Sequence, residues 1–192
     1  MPQPNKPSAA AVAAWLAITS LLAATCADSS PAEVPAPQLQ PPPVTLERAF
    51  RLEVQIGAPL ELGTVDGVRK RVIPITGGTL QGARIHGTIV PGGADWQGIR
   101  EQGSTAVWAR YTLRTDDGTY ITITNPGVRR GPPEVIQRLL RGERVDPALY
   151  YFRSSPGFEV ADGPYEWLRE SVFVCAGARE PERVILECYT VL

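Results

Sequence analysis

The chain has 192 residues, 19 basic and 20 acidic side chains, one histidine and three cysteines, with a mean hydropathy of −0.09. This near-neutral balance, with no long basic run, excludes the electrostatic footprint by which proteins track a nucleic-acid backbone. A single histidine, His86, and no closely spaced cysteine pair exclude the common metal-ligand spacings, so neither a metal nor a cofactor is expected.

The first 43 residues differ from the rest. Lys6 is the only charge before Asp28, and "AAAVAAWLAITSLLAA" (residues 9–24) is a 16-residue apolar stretch, the length of a signal-peptide core and short for a membrane span. Residues 1–27 are therefore expected to direct export, the alternative being a disordered alanine-rich start. Two routes of processing stay open: cleavage after Ala27, or lipidation of Cys26 behind an imperfect lipobox formed by Leu22, Ala23, Ala24 and Thr25. The protein would then be periplasmic or a membrane-anchored lipoprotein, touching the membrane only through that anchor. Residues 28–43 contain six prolines and read as an extended, solvated tether. The folded unit is residues 44–192, whose 149 residues suffice for one core. Setting aside Lys6, Asp28 and Glu33 leaves it with 18 basic and 18 acidic residues.

Period-two alternation dominates this unit. In "TLERAFRLEVQIG" (residues 45–57), Leu46, Phe50, Leu52, Val54 and Ile56 share one face and Glu47, Arg51, Glu53 and Gln55 the other, the pattern of a strand with one wet side. Further strands are predicted over residues 71–80, 83–90, 105–115, 119–125, 148–155, 170–177 and 183–192, divided by the turn signals "GG", "PGG", "TDDG" and "NPG". Two short helices are expected, over residues 132–142, where Val135, Ile136, Leu139 and Leu140 line one face, and more weakly over residues 163–170. The basic clusters "GVRKR" (67–71) and "GVRRG" (127–131) read as solvated turn and edge positions. Many short strands without a βαβ rhythm give an antiparallel sheet that closes or sandwiches, and closure leaves no unprotected edge. A hairpin centred on Pro181 and Glu182 would set Cys175 opposite Cys188; a disulfide and two buried thiols both remain open.

The segments "LGTVDGVRKRVIPITGGTLQGARIHGTIVPGGADWQ", "ARYTLRTDDGTYITITNPGVR", "YYFRSSPGFEV" and "YEWLRESVFV" run in order along residues 44–192. Together they closely resemble the uncharacterised bacterial and fungal family called domain of unknown function 3237, also uncharacterised protein family 0311. The resemblance implies a single all-β fold, an antiparallel barrel of calycin or lipocalin type around a central cavity, with one or two short helices. It implies no settled chemistry.

Candidate site residues follow from chemistry. Gly92 and Gly93 allow a sharp change of direction before Asp95 and Trp96, which would present a carboxylate and an indole to the cavity or its rim. Arg110 and Arg153 lie within strands beside aromatics, and an inward arginine needs a carboxylate partner or an anionic ligand. Strand parity qualifies this: Trp108, Arg110, Thr112 and Arg114 share one face, and an apolar interior would turn Arg110 outward. The expected function is binding of a small hydrophobic or aromatic molecule, with Trp96, Tyr151 and Trp167 as walls and Arg110 and Arg153 as orienting groups. The alternative is a cofactor-independent isomerase, lyase or cyclase with Asp95 as general base and Arg153 or Tyr151 stabilising developing charge. Nucleophilic catalysis has little support, since there is no Gly-x-Ser-x-Gly elbow and His86 lies mid-strand with no obvious serine or cysteine partner. Oligomeric state is not legible.

Overall fold

Alternation in the sequence becomes inside and outside in a computed structural model that describes residues 39–192. The expected signal peptide, Cys26 and the tether up to residue 38 lie outside the described residues. The elements run β1 (Leu46–Ile56), β2 (Leu60–Val65), β3 (Val68–Gly82), β4 (His86–Ile99), β5 (Thr105–Thr115), β6 (Tyr120–Arg130), α1 (Pro133–Leu140), β7 (Tyr151–Ser154), β8 (Gly157–Val160), β9 (Val172–Arg179) and β10 (Arg183–Val191). All strand pairings are antiparallel, and β1 bonds to both β10 and β3, which closes eight strands into the expected all-β barrel. β2 lies beside the first half of β3, while β7 and β8 divide β6 between them. Two 3-10 turns, Pro147–Leu149 and Glu166–Leu168, join α1 in the connections.

The wet face of β1 carries paired charges against β10, such as Arg51–Glu187 and Arg183–Glu53, exposed enough that each adds little to stability. The inner face divides along the barrel axis. One end is solid: Phe50, Leu52, Leu80, Leu113, Ile121, Ile123, Phe158 and Phe173 are all packed, and the Glu166–Leu168 turn brings Leu168 and Trp167 against them. The other end is covered by α1, whose Val135, Ile136 and Leu139 pack with Val107, Tyr150 and Phe152.

Several expectations change. "PGG" does not end a strand; β4 runs through it with a bulge in which Pro91, Gly92 and Gly93 stand opposite Tyr111, and Gly92 takes φ +116°. Gly93 is required there, because a Cβ would sit 2.6 Å from the Arg110 carbonyl oxygen. β2 and β8, in "LELGTV" and "GFEV", were not predicted as separate strands. The second helix, expected over residues 163–170, shortens to a single 3-10 turn, while "TDDG" is a tight hairpin with Gly118 at φ +89°. Cys175 and Cys188 are direct partners in the β9–β10 ladder and are joined as a disulfide within the packed end.

Replacing both cysteines with alanine is expected to lower unfolding stability by about 2–4 kcal/mol, since the bond removes loop-closure entropy from the unfolded chain. Urea unfolding measures the loss. Equal midpoints for the natural and doubly substituted proteins would show the bond to be unimportant.

Candidate functional site

Between the packed end and α1 the inward positions turn polar. Along β4 the inward side chains are Asp95, Gln97 and Ile99; along β6, Ile121 and Ile123 give way to Asn125 and Arg129; β3 contributes Arg71 and β9 Arg179 at their ends nearest α1. Asp95, Gln97, Asn125, Arg129 and Arg179, with Tyr111 and Ser154, face apolar walls from Val54, Ile73, Ile75, Val107, Phe152 and Leu186 around a cavity of about 40 Å³, and Arg71 stands behind Gln97 on the side of the barrel mouth. Gly177 helps make the space, because a Cβ there would meet the Phe152 ring. A cavity of this size holds roughly three water-sized groups. It shares Ile56 and Arg179 with a much wider funnel of about 990 Å³ at the barrel mouth. The funnel wall carries Arg71, Arg141, Arg144 and Arg183 against Glu180 and Glu182.

The polar groups are wired in one direction. Arg71 Nε donates to Gln97 Oε1 at 2.8 Å, and Gln97 Nε2 donates to Asp95 Oδ2 at 2.5 Å. A guanidinium can only donate, so it fixes the amide, and the amide in turn makes Asp95 an acceptor. The Trp108 backbone N–H donates to Asp95 Oδ1 at 3.0 Å, which holds the carboxylate plane. Burial outweighs these contacts and pushes the Asp95 pKa up from its ordinary value, while its hydrogen bonds with Gln97 and Trp108 and the nearby Arg129 and Arg71 draw it down.

Charge does not balance here. Arg71, Arg129 and Arg179 are all buried, and among the described residues none lies within 4 Å of a carboxylate oxygen. Burial lowers the pKa of Arg129 and of Arg179 to about 10, so both stay charged at neutral pH. Arg129 is only 1% exposed, and its Nε and Nη2 have no hydrogen-bond partner. Tyr111 Oη, Ser154 Oγ and Asn125 Oδ1 are likewise buried without partners. All five orphaned atoms belong to residues that line the one cavity. Burial also raises the Tyr111 phenol well above its usual value, keeping it a neutral donor.

Of the residues predicted from sequence, Asp95 alone reaches this cavity. The next residue, Trp96, points the opposite way, as strand alternation demands, and stands 44% exposed against Trp108 at 43% on the outer surface. Arg110 is on that same outer face and pairs with Glu159 at 3.3 Å. Tyr151 and Arg153 are also outside: the Arg153 guanidinium lies 5.2 Å from the Tyr151 ring and donates to the Phe152 carbonyl. Trp167 packs on Phe173 at the far end, under the Arg84 guanidinium at 4.2 Å. None of these five lines the cavity, which corrects the expectation that they form its walls and orienting groups.

The interior arginines were the missed signal. Arg71 and Arg129 come from the two clusters read as solvated turns, yet both are buried. Extending the inward parity of Ile73 and Ile75 back to 71, and of Ile121, Ile123 and Asn125 forward to 129, places them inside.

An unmatched buried guanidinium destabilises the empty fold, and an apolar group of similar size commonly does better. Arg129→Met is therefore expected to raise unfolding stability by about 1–3 kcal/mol, as measured by chemical denaturation. A clear loss instead would assign Arg129 to the structural framework.

Comparison with other proteins places the whole barrel. A family described as "Protein of unknown function (DUF3237)" matches residues 43–191. A UPF0311 protein from Clostridium acetobutylicum is 40% identical over 146 residues, covering 76% of this chain and 92% of that one. The crystal structure of a conserved protein of unknown function from Rhodopseudomonas palustris is 38% identical, with a TM-score of 0.77 over 79% of this chain and 100% of the other. A β-barrel-like protein from Acinetobacter baumannii is 39% identical, with a TM-score of 0.71 over 81% of this chain and 100% of its own. With the match spanning the barrel from before β1 to the last residue of β10, the chain belongs to the DUF3237 family.

Proposed function

We propose that the barrel interior is a binding chamber for a small molecule whose oxygenated end enters the inner cavity while the rest of the molecule extends into the funnel. The observation that carries this reading is the convergence of five orphaned buried polar atoms on one cavity. Native interiors leave few such atoms, because each costs roughly 1–3 kcal/mol when desolvated and unpaired. Size sets the division of the ligand: about 40 Å³ accepts a head of a few heavy atoms but no aromatic ring, whereas the funnel has ample room. The walls around the polar cluster are aliphatic and aromatic, which suits an end that joins oxygen atoms to apolar carbon.

A second reading, catalysis, is favoured by the setting of Asp95. Its carboxylate is held by Gln97 and Trp108, lies beside the cavity, and is made more basic by burial. It would take a proton from a C–H or O–H group next to a ligand carbonyl, with the Tyr111 and Ser154 hydroxyls donating to the oxygen that gains charge. Returning that proton to a different atom completes an isomerisation, elimination or ring closure with no other reactant. Catalysis of this type needs the unprotonated carboxylate, so turnover falls as pH drops through a pKa that lies above the usual aspartate value of 3.8.

Export, and attachment through a lipidated Cys26, belong to the same proposal as the supply route for such a ligand. Its support is the composition of residues 1–27.

Protein purified from its own cells and examined by native mass spectrometry is expected to carry a small molecule that denaturation releases. Asp95→Asn should retain binding and lose about 10²–10⁴-fold in turnover. The compound released from Asp95→Asn would then differ in mass or chromatographic retention from that released by the natural protein. An identical compound from both would leave carriage as the function, and no bound compound under any condition would remove the chamber.

A further inference from the structure

The orphaned atoms narrow the ligand class further. Resting on the chamber reading above, we infer that the ligand is a small organic acid whose carboxylate is held side-on by Arg129, with a hydroxyl or enol hydrogen placed toward Asp95 and Asn125.

Three observations carry this. The first is which Arg129 atoms are free. Nε and Nη2 lie on one edge of the guanidinium and project two parallel N–H bonds, a fork that matches the two oxygens of a carboxylate. A single carbonyl oxygen would satisfy one of them and leave the other desolvated. The second is charge. Arg129 and Arg179 line the cavity with Asp95 as its one carboxylate, and Arg71 stands behind Gln97, so a neutral ligand leaves the excess positive charge uncompensated and a monoanion relieves it. The third is the mixture of orphans. Arg129, Tyr111 and Ser154 offer donors, whereas Asn125 Oδ1 is an acceptor without a partner and Asp95 is fixed as an acceptor by Gln97. A simple anion with no hydrogen to give would leave Asn125 unsatisfied, so the ligand carries a donor close to its carboxylate.

Volume agrees. A carboxylate with its attached carbon is the size of head the 40 Å³ cavity admits, and the arginines of the funnel present a positive approach to it. A tetrahedral phosphate has more oxygens than the fork engages and a larger head, and is the competing anion to exclude.

The test uses the full chain labelled with ¹⁵N and four probes: mandelate, phenylacetate, mandelamide and inorganic phosphate. Amide shifts at Asp95, Trp108 and Arg129 report occupancy of the cavity. Mandelate is expected to shift these amides and to bind at least tenfold more tightly than mandelamide, with phenylacetate weaker than mandelate for lack of the hydroxyl. Arg129→Lys, which keeps the charge and removes the fork, should weaken mandelate at least tenfold. It should leave mandelamide within about twofold, and a well-dispersed spectrum verifies that the variant folds. Equal binding of acid and amide at these amides, or unchanged mandelate binding by Arg129→Lys, overturns the carboxylate assignment while leaving the chamber intact. Phosphate binding more tightly than mandelate overturns it in favour of a tetrahedral anion. No shift at these amides with any probe overturns it as well. The chamber reading is judged separately, by the molecule that protein from its own cells carries.

Discussion

Closure of the sheet is the constraint from which the rest follows. Because β1 is hydrogen-bonded to β10 on one side and β3 on the other, the inner faces of the staves meet bulk water only through the barrel mouth. A polar side chain on that face must therefore find its partner inside the cylinder or be supplied with one. At the Phe50 and Phe173 end the inner positions are apolar and the question does not arise. Near α1 they are not: two guanidiniums share the cavity with one carboxylate, and a third, Arg71, is buried at its mouth side. The same backbone that creates a dry interior thus creates the electrostatic imbalance within it.

The two halves of the barrel divide the work. The packed half, with its disulfide between β9 and β10, provides stability that does not depend on a ligand. The polar half is energetically poor on its own, and its polar atoms are arranged for something else. The relay from Arg71 through Gln97 to Asp95 shows how little freedom remains: one donor-only group at the mouth sets the orientation of an amide and, through it, the role of a carboxylate deeper in the barrel. Stability and recognition are kept on different segments of the same strands, so β6 carries Ile121 and Ile123 in the core and Arg129 in the chamber.

Much of the fold was legible because period two survives in the sequence even where the strands are irregular. The barrel class, the "TDDG" hairpin, the first helix and the opposition of Cys175 and Cys188 could all be read from residue spacing and a family likeness. The site was less legible. Aromatic neighbours drew attention to Arg110 and Arg153, whereas parity points both outward; arginines next to glycines looked like turn residues, whereas parity points Arg71 and Arg129 inward. Local composition and strand phase gave opposite answers, and in a closed sheet phase decides, since it fixes which side of the wall a side chain occupies. The pairing of Asp95 with Trp96 follows the same rule: neighbours in sequence lie on opposite faces and have no common task.

The bulge at Pro91–Gly93 adds two residues to β4 relative to β5. Two is an even number, so the strand beyond it resumes with the same face toward the axis. Losing a single residue from this stretch would rotate the remainder of β4 by half a repeat, turning Trp96 inward and delivering the Asp95 carboxylate to solvent. A change of length at this point therefore keeps the carboxylate inside the barrel only in steps of two, a parity lock set by the alternation of the strand itself.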